Sequence, residues 1–141
     1  MQTVVLYFVT ALIFLGADVV WIKLYVRQLF EQHVPELLLE DFRAGPAVAF
    51  YVLYVVGMLY FASAAGLSGK PLSRVALDAG FFGLLAYGTY AVTNYAVLKG
   101  WHPNMVMADL AWGTLATATS AVLGLVVVRA MYGMPIQATG G

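Results

Sequence analysis

Four apolar stretches, each near the ~20 residues that a helix needs to cross the ~30 Å core of a bilayer, govern what this chain can fold into. They run from about Thr3 to Ile22, Pro46 to Ala65, Val75 to Leu98 and Met105 to Val128. In lipid only a helix satisfies its backbone polar groups within one segment, so each stretch reads as a transmembrane helix. Composition agrees. Of the 141 residues, 62% are hydrophobic and 10% charged, with mean hydropathy +0.86, against about 25% charged in ordinary soluble domains. A water-soluble fold of this size cannot hide so much apolar surface. The expected fold class is all-α: a polytopic, antiparallel four-helix membrane bundle in contact with the lipid bilayer, a single integral membrane domain over residues 1–141.

The first stretch reads as a helix rather than a cleaved leader. Met1-Gln2-Thr3 carries no positive side chain, and Leu15-Gly16-Ala17 is a poor cleavage site because Leu is large. The long polar connection from Lys23 to Gly45 interleaves Leu24, Val26, Leu29, Phe30 and Val34 with Arg27, Glu31, Glu36, Glu40 and Asp41. That mixture suits a short amphipathic segment at the interface, with Pro35 breaking or starting it. The other two connections, Leu67 to Arg74 and Gly100 to Asn104, carry Gly-Lys-Pro and Gly-Trp-His-Pro. They are tight turns that force neighbouring helices antiparallel. A tail of small residues, Met134 to Gly141, ends the sequence. Lys70, Arg74 and Arg129 fall on the N-terminal side, and Lys23, Arg27, Arg43 and Lys99 on the other. The counts are too even for the positive-inside rule to decide. The far side alone carries loop acids, so both termini are expected to be cytoplasmic.

Three polar side chains inside apolar segments, Asp18, Asn94 and Asp109, are brought by this topology to one membrane face. A carboxylate in hydrocarbon costs at least ~2.5 kcal/mol, so such residues face a protein interior, a partner or a water-filled cavity. Asp18 and Trp21 are three apart on one helical face; Tyr87, Tyr90 and Asn94 form another stripe. Asp109, Gly113, Ala116, Ser120 and Gly124 give helix four a small-residue face for close approach. The expected polar network comprises Asp18, Trp21, Tyr90, Thr93, Asn94, Asp109, Trp112 and Thr114, joined by Tyr51 and Tyr54 and capped by Trp101 and His102. In its structural reading both aspartates accept hydrogen bonds from Tyr, Trp or Asn across the bundle. In its functional reading they face a ligand. Thr93 with Asn94 suits an interhelical clamp, and the three Trp suit an interfacial aromatic belt. His33 and His102 read as loop histidines, one of them within conceivable reach of Asp109. Neither H-x-x-x-H nor E-x-x-H spacing occurs, so no metal is expected. Asp78, four residues after Arg74, suits an i,i+4 ion pair at the opposite face. The absence of cysteine excludes disulfides, thiolate metal sites and a cysteine nucleophile within these residues.

The motifs Asp18-x-x-Trp21, Tyr90-x-x-Thr93-Asn94 and Asp109-x-x-Trp112-Gly113-Thr114, with Gly100-Trp101, resemble the DUF2177 family of bacterial predicted membrane proteins, from about Thr3 to Arg129. The resemblance implies a helical fold in a bacterial inner membrane and names no activity. Members of that family often carry an acid directly after the Tyr of the helix-three motif, where this chain has Ala91.

Net charge is zero, with no basic patch, so nucleic acid is not an expected partner. No cofactor is indicated. The favoured expectation is a non-catalytic accessory or structural subunit packing on a larger membrane complex. The alternative is a small enzyme or binder acting on an amphiphilic lipid or isoprenoid through a pocket containing Asp18 and Asp109. A channel fits less well, because no charged residue lies near the middle of a segment.

Overall fold

The protein is described by a computed structural model over residues 1–137; the last four residues of the small-residue tail lie outside the described region. Four helices in it are long and apolar enough to cross a membrane: Gln2–His33, Ala44–Ser68, Leu72–Val97 and Pro103–Met131. The expected all-helical architecture is therefore present, with different limits at several ends.

The largest difference is at the first span. Helix α1 (Gln2–Trp21) does not stop at the start of the polar connection. It passes through one π-helical turn, Ile22–Val26, into α2 (Arg27–His33). Nothing from Lys23 to Gln32 breaks a helix, and most of it favours one. An Arg27 Nε–Glu31 Oε1 pair at 2.9 Å braces the exposed side one turn apart. The stop comes at Val34 (φ −140°, ψ 48°), where Pro35 excludes the helical conformation from the residue before it. Pro35 then opens a single 3₁₀ turn, Pro35–Leu37. The amphipathic part of the connection is thus mainly an extension of the first helix.

The second span begins as α3 (Ala44–Met58), continues through a π turn at Leu59–Ser63 and tightens into 3₁₀ geometry over Ala64–Ser68. Gly69 ends it in the left-handed region (φ 100°), which glycine alone enters without strain. Helices α4 (Leu72–Val97) and α5 (Pro103–Met131) complete the bundle. Pro103 sits in the first turn of α5, where a missing N–H costs nothing. His102 caps the same end: its Nδ1 accepts from the Asn104 N–H at 3.1 Å.

Helix α5 is the hub, with its longest contact along α4 and the next along α1. Its packed face carries Gly113, Ala116, Thr117, Ser120, Ala121 and Gly124, all buried, so the expected small-residue stripe is the contact surface. A Cβ on Gly83 of α4 would strike the Gly113 carbonyl, one on Gly113 would strike the Tyr87 ring, and one on Gly124 would strike Thr10 of α1. Helices that gain no hydrophobic drive from leaving lipid must gain contact by such close approach. Leu6, Phe14, Tyr54, Met58, Leu125 and Val128 fill the core beside these crossings.

At the end of the bundle that holds the α3–α4 turn, Arg129 is 1% exposed. Its Nη2 donates to the carbonyls of Gly66 and Lys70, both at 2.7 Å. The sequence placed Arg129 among solvent-side charges; the structure makes it a cationic cap on the end of the second span and the turn that follows it. Nearby, Asp78 meets Arg74 Nε at 3.4 Å as expected and is also paired with Lys70 across the turn.

Two predictions follow from this packing. Gly83→Ala is expected to destabilise the bundle by ~1–3 kcal/mol through overpacking, whereas Gly16→Ala, open to lipid, is expected to be neutral or stabilising by up to ~1 kcal/mol. Equal melting of the two variants in detergent would remove the close α4–α5 crossing. Likewise, Arg129→Met is expected to cost ~1–3 kcal/mol by orphaning the Lys70 carbonyl and weakening the hold on Gly66, and Asp78→Asn no more than ~1 kcal/mol, since its pair is partly exposed. If Asp78→Asn melts lower than Arg129→Met, the ranking of these two contacts is wrong.

Candidate functional site

At the other end of the bundle the side chains of α1, α3, α4 and α5 surround a cavity of about 420 Å³. That volume lies within the ~300–1,000 Å³ range of small-molecule sites. Each wall follows from local structure. Asp18, Ile22, Val26 and Phe30 line the cavity from the first span. They are spaced by four. In a regular α-helix that spacing drifts by about 40° per step. The π turn at Ile22–Val26 holds more residues per turn and offsets part of the drift, so one stripe reaches from Asp18 to Phe30. Helix α3 contributes Phe50 and Tyr51, α4 contributes Tyr87 and Tyr90, and α5 contributes Asp109 and Trp112 one turn apart.

Asp18 is 4% exposed and has both carboxylate oxygens engaged. Trp112 Nε1 donates to Oδ1 at 2.8 Å, and the Tyr51 hydroxyl donates to Oδ2. One carboxylate thus ties α1 to α3 and α5. Charge-assisted bonds of this kind are the strong ones. The Trp112 ring lies flat on Trp21, with centroids 4.6 Å apart and planes at 5°. One layer deeper, the Tyr54 hydroxyl and Thr117 Oγ1 share a hydrogen bond of 2.8 Å.

Asp109 is treated differently. Its Oδ2 is shut off from solvent and has no hydrogen-bond partner among the described residues. The expectation that both aspartates accept bonds across the bundle therefore holds for Asp18 and is corrected for Asp109. Trp112 and Tyr51 donate to Asp18 instead, and the Tyr87 and Tyr90 hydroxyls, which share the cavity with Asp109, do not bond it. Trp21 Nε1 is likewise buried and unpartnered, because stacking on Trp112 orients its ring by area rather than by hydrogen bonding.

Of the residues grouped from sequence, Asp18, Trp21, Tyr90, Asp109 and Trp112 meet at this cavity. Three do not. Thr93 is exposed on the outer side of α4, and half-buried Asn94 lies beyond the lining. A helix turns by about 100° per residue, so a run such as Tyr90 to Asn94 cannot keep all its members on one face. Thr114 folds its hydroxyl back onto the Leu110 carbonyl at 2.7 Å and packs its methyl near Gly80. That backbone bond is the usual local alternative for a helical threonine. Sequence reasoning left out Ile22, Val26, Phe30 and Phe50. The first three carried a signal in their four-residue spacing from Asp18, masked by the expectation that the helix ended there.

The cap over the cavity is aromatic. Trp101 is buried with Val34 and Met105, and both Phe30 and Tyr90 meet its ring edge-on at 84°, with centroids at 5.3 and 5.7 Å. His33 and His102 stack on each other, centroids 4.2 Å apart and 13° between planes. This corrects their reading as independent loop histidines: the rings pair with each other and not with Asp109. Among the described residues no three His, Cys, Asp or Glu side chains are grouped to hold a metal ion.

The sequence profile of DUF2177, described as a predicted membrane protein, matches residues 3–126. The chain belongs to the DUF2177 family. No curated protein and no solved structure matches it. The region matched to DUF2177 contains every residue that lines the cavity, while the Arg129 cap lies beyond it. Ala91, beside Tyr90 on α4, is completely buried.

The unequal surroundings of the two aspartates give opposite expectations for stability. Asp18→Ala is expected to lower detergent stability by ~1–3 kcal/mol, because it leaves two buried donors unpaired. Asp109→Asn is expected to leave the melting temperature unchanged or to raise it, since it removes a carboxylate that nothing in the chain compensates. Thermal melts that rank Asp109→Asn below Asp18→Ala would contradict this assignment of roles.

Proposed function

We propose that this membrane protein binds an amphiphile, a lipid or isoprenoid-like molecule, with its polar end at Asp109 and its apolar part against Ile22, Val26, Phe30 and Phe50. The observation that carries the reading is the Asp109 carboxylate oxygen, buried beside an aromatic cavity and unpartnered within the chain. Each buried polar atom without a partner calls for an explanation; of the six among the described residues, Asp109 Oδ2 is the carboxylate oxygen, and with Trp21 Nε1 it belongs to the cavity lining. Asp18 is the fixed member of the pair. Held by Tyr51 and Trp112, it keeps three helices in register around the space that Asp109 faces.

Binding is the activity proposed, in a multi-pass protein of a bacterial cytoplasmic membrane with both termini on the cytoplasmic side. Catalysis would have to run on the aspartates and tyrosines themselves, since the lining holds no Ser, Thr, Cys or His; the unpartnered Asp109 oxygen supports binding without requiring such a step. An accessory role on a larger membrane complex rests on the long, aromatic-rich outer faces, which lipid contact alone also accounts for.

Extraction from the native membrane in gentle detergent, with lipid analysis and proteomics on the same eluate, separates the two roles. The expected result is one enriched amphiphile, retained by the parent protein and lost from Asp109→Asn at unchanged melting temperature. A stoichiometric larger assembly, with the same lipid profile for parent and variant, would replace binding by the accessory role.

A further inference from the structure

We infer that the cavity selects an organic ammonium: an amphiphile whose polar end carries a positive charge on nitrogen. This rests on the amphiphile-binding reading above and narrows it by charge. The lining holds two carboxylates and no Lys, Arg or His. Asp18 has its two donors, both neutral groups that hydrogen-bond the carboxylate without cancelling its charge. Asp109 has an oxygen with none. An anionic head group would bring a third negative charge into this space, away from water, where like charges repel most strongly. A neutral hydroxyl would satisfy the hydrogen bond and leave the charge uncompensated. A cation does both.

The walls favour the same class independently of the acids. Seven of the twelve lining side chains are aromatic, among them Tyr87, Tyr90, Phe50 and the stacked Trp21 and Trp112. Aromatic faces attract ammonium groups, most strongly when water is excluded, and several faces around one anion site are the usual recognition device for alkylated nitrogen. The apolar stripe of Ile22, Val26 and Phe30 provides for the hydrocarbon part. Trp21 Nε1, a solvent-shielded donor of the lining without a partner, suits an oxygen acceptor near the nitrogen, as in an amino alcohol or its ester.

The test uses the purified full-length chain in a neutral maltoside detergent and reads tryptophan fluorescence, since Trp21 and Trp112 form one wall. Three probes of equal chain length are titrated: decyltrimethylammonium, its uncharged isostere with carbon in place of nitrogen, and decyl sulfate. The ammonium is expected to bind about tenfold more tightly than the isostere, the scale of a desolvated cation–π and charge contribution, and the sulfate least tightly. In Asp109→Asn this preference is expected to fall to near unity, with binding of the isostere retained. Should that variant not fold, Phe50→Leu, on a half-exposed wall, is expected to weaken the ammonium more than the isostere. Equal binding of ammonium and isostere, or tighter binding of sulfate, would overturn the charge selectivity while leaving an amphiphile site in place. Failure of all three probes to perturb the fluorescence would overturn the amphiphile-binding reading itself.

Discussion

The Asp18 carboxylate is the contact on which the far half of this bundle depends. It sits at the end of α1, where the helix leaves its straight run, and it receives one bond from α5 and one from α3. A charged group in that position is costly in lipid, and its donors offset the cost only if all three helices stand in one arrangement. A polar contact of this kind adds specificity more than strength. Leucine in its place would pack against any neighbour, whereas a carboxylate with two fixed donors defines which faces meet. The Trp21–Trp112 stack follows from it, because the bond from Trp112 Nε1 sets the orientation of the ring on which Trp21 lies.

The near half is organised by a different means. There the α4–α5 and α1–α5 contacts run over glycine and alanine, and backbone meets side chain with no room for a Cβ at Gly83, Gly113 or Gly124. Close approach maximises dispersion contact, which remains available when lipid is as apolar as the helix it touches. The two devices share α5. Gly113, one residue after Trp112, admits the Tyr87 ring against the helix. Tyr87 then forms a wall of the cavity. The close crossing therefore shapes the site.

Fold and site were legible in the sequence to different degrees. The four spans follow from runs of apolar residues long enough to cross a bilayer, a constraint so strong that tertiary detail hardly alters it. The meeting of Asp18, Tyr90, Asp109 and Trp112 follows from topology, since short turns leave antiparallel order as the solution. What the sequence hid depends on angles. Thr93 and Asn94 lie near Tyr90 in sequence but rotate away from it, and Thr114 satisfies itself on its own backbone. The π turn after Trp21 carries no composition signal, yet it decides that Phe30 rather than a solvent residue closes the cavity. Arg129 was hidden for another reason. An arginine after an apolar run ordinarily marks the water boundary, and nothing local says that the carbonyl end of another span will lie within its reach.

The contrast between the buried ionic groups points to where function resides. Asp18 has both oxygens partnered by the chain, and Arg129 has Nη2 partnered although its Nη1 is not; both join separate spans. Their role is explained by what they hold together. Asp109 joins nothing among the described residues, although its Oδ2 is as shielded from water as its counterparts. A sequence selected only for a stable bundle gains from replacing such a group with an amide or an apolar residue, because an uncompensated buried carboxylate weakens the fold that contains it. Other buried atoms also lack partners, among them Thr10 Oγ1, Ser63 Oγ, Trp101 Nε1 and Arg129 Nη1, but Asp109 is the carboxylate of the set, and local conflicts of that kind are expected at functional sites. The conflict lies at a cavity wall rather than at a helix crossing. In the binding reading proposed above, a molecule entering that cavity resolves it, and the two aspartates already there favour a positive charge on that molecule.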